Sequence, residues 1–204
     1  MNDTVLAFDL AYRSTGWAHV RWEGRNRWTV LAFGISKVRP IGASPVTEHV
    51  RIRWAGSGME DMNRVIASCE PIDAIVYESP AAWQLAKARA QTYRPMRTKT
   101  NKDAIMGFGA ARERMYQAVH AAIGEAAQQI PIVSVDPRRW QHVVDRVMLG
   151  DVTRMDKKQQ IRAAVAHLTG IDLKGVLQDT VDAIGLGLWA SEALAKGRLI
   201  KLEK

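Results

Sequence analysis

Four acidic residues occupy positions where the surrounding pattern calls for apolar or neutral side chains. Asp9 closes the run Val5, Leu6, Ala7, Phe8, which has no polar interruption and reads as a central strand covered on both faces. Glu78 closes a second such run, DAIVYE over 73–78, before Ser79 and Pro80 break it. Asp179 and Asp182 stand three apart in DTVDAIGLGLW (179–189), a spacing that puts two side chains on one helix face, one turn apart. An isolated carboxylate at a buried strand end costs on the order of several kcal/mol. That cost falls when acids share a cation, and four carboxylates from two strands and a helix form a donor set for two divalent ions about 3.5–4 Å apart. Hard oxygen ligands select Mg2+, with Mn2+ as an acceptable substitute. The chemistry such a pair supplies is hydrolysis of a phosphodiester, one ion activating water and the other stabilising the leaving 3′ oxygen.

Each acid also has a plainer reading. Asp179 is a possible helix N-cap and Asp182 a first-turn acid favoured by the helix dipole. Asp136, before Pro137, is a further candidate ligand, although an Asp in that position more commonly caps a turn or helix. No Ser-His-Asp spacing, Walker loop or Gly-rich dinucleotide turn competes for the chemistry. The histidines (His19, His49, His120, His142, His167) are scattered without metal-ligand spacing, and the single cysteine, Cys69, sits among Met59, Met62 and Ile66 as a small core residue.

The elements that must position the acids follow from periodicity. Residues 17–22 and 28–36, rich in Trp, Val, Leu, Phe and Ile and joined by the polar turn 23–27, read as two strands that continue the first in an antiparallel meander. Gly16 reads as the residue that permits the turn into the second strand. Residues 37–50, with Pro40, Gly42 and Pro45, read as a loop, 50–54 as an extended stretch, and 58–69 as a helix ended by Pro71. The strand 73–78 comes after that helix, so a right-handed crossover lays it parallel to the first strand and brings Asp9 and Glu78 to one opening. A long helix over 105–127, a fifth strand over 130–135, a helix from Asp156 to Gly170 and the helix carrying Asp179 and Asp182 complete an α/β order. Residues 145–156 have no clear period, and Lys157, Lys158 and Arg162 are expected to face solvent. Ala183, Gly185 and Gly187 lower helix propensity and imply a helix backbone packed closely on the sheet. The expectation is a five-stranded mixed sheet, three antiparallel strands then two parallel, flanked by helices.

No linker divides the 204 residues, so 1–204 reads as a single domain. The apolar runs fall short of the roughly 18 residues of a membrane helix, and Met1 to Thr4 is polar rather than a basic leader. The expectation is a soluble, cytoplasmic protein that makes no use of a membrane. A formal charge of +8 favours polyanionic partners. Seven cations (Lys87, Arg89, Arg94, Arg97, Lys99, Lys102, Arg112) lie between Ser79 and Arg112 against one acid, Asp103, with Trp83 and Tyr93 interspersed. A basic segment that begins directly after Glu78 is placed to contact nucleic-acid phosphates beside the acids, and Trp83 to stack on an unpaired base.

In their order, FDLAYRSTGW (8–17), IVYESP (75–80), DKKQQIRAAV (156–165) and DTVDAIGLGLW (179–189) resemble the RuvC-type Holliday-junction resolvases of the ribonuclease H-like nuclease superfamily. The resemblance extends over most of the chain. It implies the ribonuclease H-like fold, Asp9, Glu78, Asp179 and Asp182 as the catalytic, metal-holding tetrad, and Lys157 or Lys158 as a basic residue near the scissile phosphate. It further implies a homodimer that nicks two strands of a four-way DNA junction, with the helix over 105–127 as the candidate interface through Met106 and Tyr116. Leu10 and Ala11 stand where such proteins often carry Pro-Gly, and 79–103 is longer and more basic than their counterparts, departures compatible with a divergent, bacteriophage-borne member. The competing readings are a ribonuclease H-like nuclease acting on RNA-DNA hybrids or flaps and a junction-binding scaffold without catalysis.

Neutralising Arg94, Arg97 and Lys99 together is expected to flatten the salt dependence of junction binding by about 0.9 in log-log slope for each phosphate these cations no longer neutralise. Binding titrations between 50 and 200 mM salt (roughly the range over which such charges are felt) check it, and an unchanged slope would return the segment to a solvated loop.

Overall fold

In the computed structural model the chain builds one five-stranded sheet with helices on both faces. The structure describes residues 3–11, 14–37, 48–69, 71–79, 100–142 and 156–199, and of 48–57 and 100–107 the backbone alone. The strands are β1 (Thr4–Leu10), β2 (Ser14–Gly24), β3 (Arg27–Lys37), β4 (Ala74–Glu78) and β5 (Ile132–Val135), in the order β3-β2-β1-β4-β5. As expected, β1, β2 and β3 pair antiparallel, while β4 runs parallel to β1 and β5 parallel to β4. The helices are α1 (Glu48–Ser68), α2 (Thr100–Ile123), the single turn α3 (Pro137–Trp140), α4 (Lys157–Thr169) and α5 (Gln178–Ala195).

Strand alternation sorts the core into two layers. Leu6, Phe8, Ile75 and Tyr77 face α1 and α2, meeting Met62, Ile66, Cys69, Met115 and Val119. Val5, Ala7, Ala74 and Val76 face the other way, onto α4 and α5, with Ile161, Val165, Val181 and Ile184. Asp9 is two residues on from Ala7 and Glu78 two on from Val76, so both acids belong to the α5 face. Their level is set at the far end of the strands, where Asp73 Oδ2 accepts from the Thr4 backbone N–H at 2.8 Å and from Thr4 Oγ1 at 2.6 Å. That clasp starts β1 and β4 together, and the register Val5 with Ala74 through Phe8 with Tyr77 leads directly to Asp9 beside Glu78.

Helix α5 is buried over most of its circumference, as a helix lying across the middle of a sheet must be. Thr180 Oγ1 donates to the Gly34 carbonyl at 3.0 Å and Trp28 Nε1 to the Leu188 carbonyl at 2.8 Å, tying the first turn and the middle of the helix to β3. The close packing expected of its glycines is present: a Cβ on Gly187 would lie 2.7 Å from Val20 Cγ2 and 3.5 Å from the Ala7 Cβ.

Several expectations change. Gly16 is not a turn residue; it pairs with Asp9 inside β2, which begins already at Ser14. A Cβ there would stand 2.0 Å from the carbonyl oxygen of Asp179. Its role is steric, giving the first turn of α5 access to the sheet. The β2–β3 connection tightens to Arg25 and Asn26, both at positive φ (48° and 60°), the two-residue hairpin geometry that matches strand twist. Helix α1 begins at Glu48, well before residue 58, because the charged-apolar alternation of Val50 to Trp54 imitates a strand period while the backbone is helical. Helix α2 ends at Ile123, and Gly124–Gln128 tightens into a 3-10 turn. Leu31 is the extra residue of a bulge between the pairs His19–Ala32 and Val20–Val30, which is why a leucine in the middle of a strand is exposed. Among the described residues no helix is long and apolar enough to cross a membrane.

Gly16→Ala is expected to lower stability by more than the roughly 1–3 kcal/mol of ordinary overpacking, because the obstructing atom is backbone. Urea denaturation checks it: a midpoint within error of wild type would show that α5 does not need this approach.

Candidate functional site

At the carboxyl ends of the parallel strands β1 and β4, where open α/β sheets present their clefts, the side chains of Asp9, Glu78, Asp179 and Asp182 converge. Each is part-buried. Burial is the largest influence on Asp9, and the charges of Glu78, Asp182 and Asp179 add to it, so its pKa is pushed up from 3.8 to about 8 against a partial offset from Lys158. Glu78 is raised to about 7, first by burial and then by Asp182 and Asp136, with the Trp140 hydrogen bond and Lys157 opposing. Asp182 is raised for the same leading reason, and Gln178, Lys158 and Arg162 counter it. Burial first, and the charge of neighbouring acids second, make Asp9, Glu78 and Asp182 a cluster that a positive charge would relieve.

Three of them are held by donors of the chain. Trp140 Nε1 donates to Glu78 Oε2 at 2.6 Å, Ser14 Oγ to Asp179 Oδ2 at 2.8 Å, and Gln178 Nε2 to Asp182 Oδ1 at 2.8 Å. Asp9, between the strands and the helix, receives no such donor among the described residues. Gln178 is itself fixed by Arg162, whose Nη2 reaches its Oε1 at 3.3 Å while the same guanidinium donates to the carbonyls of Leu173 at 2.7 Å and Val176 at 2.8 Å. Arg162 therefore turns inward onto the loop before α5 rather than to solvent.

Asp179 does not cap α5: the N-cap is Leu177 and Asp179 lies within the first turn, its carboxylate spent on Ser14. Asp136 does act as a cap, accepting from the Arg138 backbone N–H at 2.8 Å at the start of α3, though its charge is felt at Glu78. Asp156 caps α4 by accepting from the Gln159 N–H at 2.9 Å, which places Lys157 and Lys158 in the first turn, exposed and within reach of the acids. Trp83, Lys87, Arg89, Arg94, Arg97 and Lys99 lie outside the described residues, as do 145–155, and Lys102 and Met106 belong to α2 by backbone alone. Tyr116 packs edge-on to Tyr77 with ring centroids 6.4 Å apart, so part of it serves the core.

Sequence reasoning did not find Trp140, Ser14, Gln178 or Arg162. Gln178 was within reach, since i to i+4 spacing on a helix pairs it with Asp182. Ser14 was not, its partner being 165 residues away.

Among the described residues no three His, Cys, Asp or Glu side chains are close enough to grip a single ion. The donor set nonetheless is of the type that suits a hard divalent cation: every candidate donor is a carboxylate oxygen, the acids come from three elements, and the repulsion felt at Asp9, Glu78 and Asp182 is what a cation would relieve.

The sheet order and the helices on its two faces define the ribonuclease H-like fold of RuvC. Thermus thermophilus RuvC in complex with Holliday junction substrate superposes with a TM-score of 0.63 at 13% identity over 96% of this chain and 96% of that one. A second Thermus thermophilus RuvC structure gives 0.60 at 14% identity, covering 96% and 97%, and the yeast mitochondrial Holliday junction resolvase Ydc2 gives 0.57 at 12%, covering 95% and 81%. No protein-family model and no curated protein sequence matches the chain.

The raised acids set a pH dependence for the protein free of divalent ions. Above about pH 4 the unfolded chain has released protons that the folded state keeps on Asp9 until about pH 8 and on Glu78 until about pH 7, so stability falls across that window and levels above it. In EDTA, Asp9→Asn is expected to raise Tm at pH 8 by at least about 2–4 °C, the shift for each kcal/mol in a chain of this size, with little effect at pH 4. Thermal melts at the two pH values check it, and equal effects at both would contradict the burial assigned to Asp9.

Proposed function

We propose that this chain is a metal-dependent endonuclease that resolves four-way DNA junctions by paired, symmetric nicks. The observation that carries the reading is the convergence of Asp9, Glu78, Asp179 and Asp182 at one end of a sheet with RuvC's fold. Likeness over 96% of each chain further supports residues 1–204 acting as one nuclease domain. Bound Mg2+, or Mn2+ in its place, would supply Lewis-acid activation of water and stabilisation of the leaving 3′ oxygen.

The chain's own residues divide the remaining work. The four carboxylates would hold the ions, and an arriving cation would displace the protons that burial and repulsion keep on Asp9 and Glu78 near neutral pH. Lys157 and Lys158, on the first turn of a helix whose N-terminus carries partial positive charge, receive the scissile phosphate from the other side. Trp83 and the cations Lys87 to Lys102 extend the contact along the DNA. A four-way junction has approximate two-fold symmetry and each chain has one site, so two chains related by a two-fold axis act together, in solution as a homodimer. The compartment is the cytoplasm, where cellular DNA of a bacterium or its phage lies.

A cleavage gel tests the reading, with labelled four-way junction, linear duplex, flap and RNA-DNA hybrid, each in Mg2+ and in EDTA. Junction cleavage that needs Mg2+ is expected, and preference for hybrid or flap would assign the chain to a different ribonuclease H-like activity. Asp9→Asn, Glu78→Gln and Asp182→Asn should each lower the rate at least about 100-fold, equivalent to roughly 3 kcal/mol of transition-state stabilisation, while junction binding holds or tightens as negative charge leaves the site. Retained cleavage in all three would defeat the assignment, and nicked circles without linear product from a cruciform plasmid would defeat paired incision.

A further inference from the structure

We infer that Trp140 is a positioning residue for Glu78, and that its ring, seated on α5 at Gly185, sets the separation between the strand acid and the two helix acids. The inference rests on the metal-centre reading given above and concerns a residue outside the acid set.

The indole N–H is a donor and nothing else, so Trp140 takes no part as ligand or base. What it does is fixed by its contacts. It ends α3, the single turn that Pro137 starts and Asp136 caps directly after β5, and Glu78 pairs with Val135 at the end of that same strand. The side chain turns back from the neighbouring strand's exit and gives its N–H to Glu78 Oε2 at 2.6 Å. Trp140 is 1% exposed, so water does not compete for the bond. The opposite edge of the ring lies against α5: a Cβ on Gly185 would come 2.8 Å from Trp140 Cζ3 and 3.3 Å from Cε3. Gly185 is one helical turn beyond Asp182. One rigid ring thus touches the carboxylate on β4 and the helix that carries Asp179 and Asp182.

Packing alone does not ask for this arrangement. A phenylalanine or leucine would satisfy the apolar surroundings, and a buried indole needing an acceptor finds one readily in a backbone carbonyl, as Trp28 does with Leu188 at 2.8 Å. Trp140 instead directs its only polar atom to a carboxylate of the cluster. Its bond occupies one oxygen of Glu78 and leaves the other available. Donors of this kind behind a ligating carboxylate are worth about 10–100-fold in metal affinity.

The experiment uses the full chain and Mn2+ as the probe, with binding followed by electron paramagnetic resonance of free Mn2+ and folding by thermal melts in EDTA. Trp140→Phe keeps an aromatic ring and removes the N–H. It is expected to weaken Mn2+ binding by about 10–100-fold and to raise the metal concentration for half-maximal junction cleavage by a similar factor, with most of the rate recovered at saturating metal. Gly185→Ala removes no donor but pushes the ring, and should weaken binding in the same direction. In the Glu78→Gln background the Trp140→Phe change should cost much less, since the partner it serves is already altered. Wild-type affinity in Trp140→Phe, or a full additive loss in the double variant, would overturn the inference. If Trp140→Phe does not melt cooperatively, Gly185→Ala carries the test, and unchanged Mn2+ affinity there overturns it. A wild-type chain that binds no Mn2+ overturns the metal centre itself, a result distinct from wild-type binding that the variants leave untouched.

Discussion

Asp9 sits at the end of a buried strand because α5 brings its first turn directly over that strand, and Gly16 is the residue that lets it. Opposite Asp9 on β2, any side chain would meet the Asp179 carbonyl. The absence of a Cβ therefore sets how near the two helix acids come to the strand acids. The rest of the architecture serves the same approach. Asp73 clasps Thr4 so that β1 and β4 end level, Thr180 and Trp28 lash the helix to β3, and Gly187 beds it onto Val20.

Gathering four carboxylates this way works against folding. Desolvation and repulsion both raise Asp9 and Glu78, and the chain offsets only part of that, with Lys158 at Asp9 and with Lys157 and the Trp140 donor at Glu78, while Ser14 and Gln178 orient Asp179 and Asp182. Neutral donors orient a carboxylate without cancelling its charge. A site built from them leaves its acids free to exchange their protons for an incoming cation, whereas full ion pairing with arginines would have occupied them. Arg162, a guanidinium close by, is occupied with backbone carbonyls and also bonds Gln178, the donor to Asp182.

The likeness to RuvC and Ydc2 over nearly the whole chain, at 12–14% identity, has the same origin. A core accepts wide exchange among apolar residues of suitable volume provided the pattern of inward and outward positions holds. Here the pattern is plain: Val5, Ala7, Ala74 and Val76 on one face of the sheet, Leu6, Phe8, Ile75 and Tyr77 on the other.

Local chemistry was enough to place the strands, the cap at Asp136, the helix that starts at Asp156 and the acids that interrupt apolar runs, because each of these is decided within a few residues by periodicity or by a side chain bonding its own backbone, and the handedness of the crossover supplied the parallel pairing of β4 with β1. The same locality misread Val50 to Trp54, where alternation imitated a strand inside a helix. The amino-acid sequence by itself thus determined the layers and named the acids. Only the tertiary structure decided that Gly16 is a passage for α5 and not a turn, that Arg162 faces inward, and that Trp140 and Ser14 hold Glu78 and Asp179. Those facts depend on atoms brought together from 11 to 165 residues apart, and contacts made through the folded structure leave no period or spacing in the chain from which they could be read.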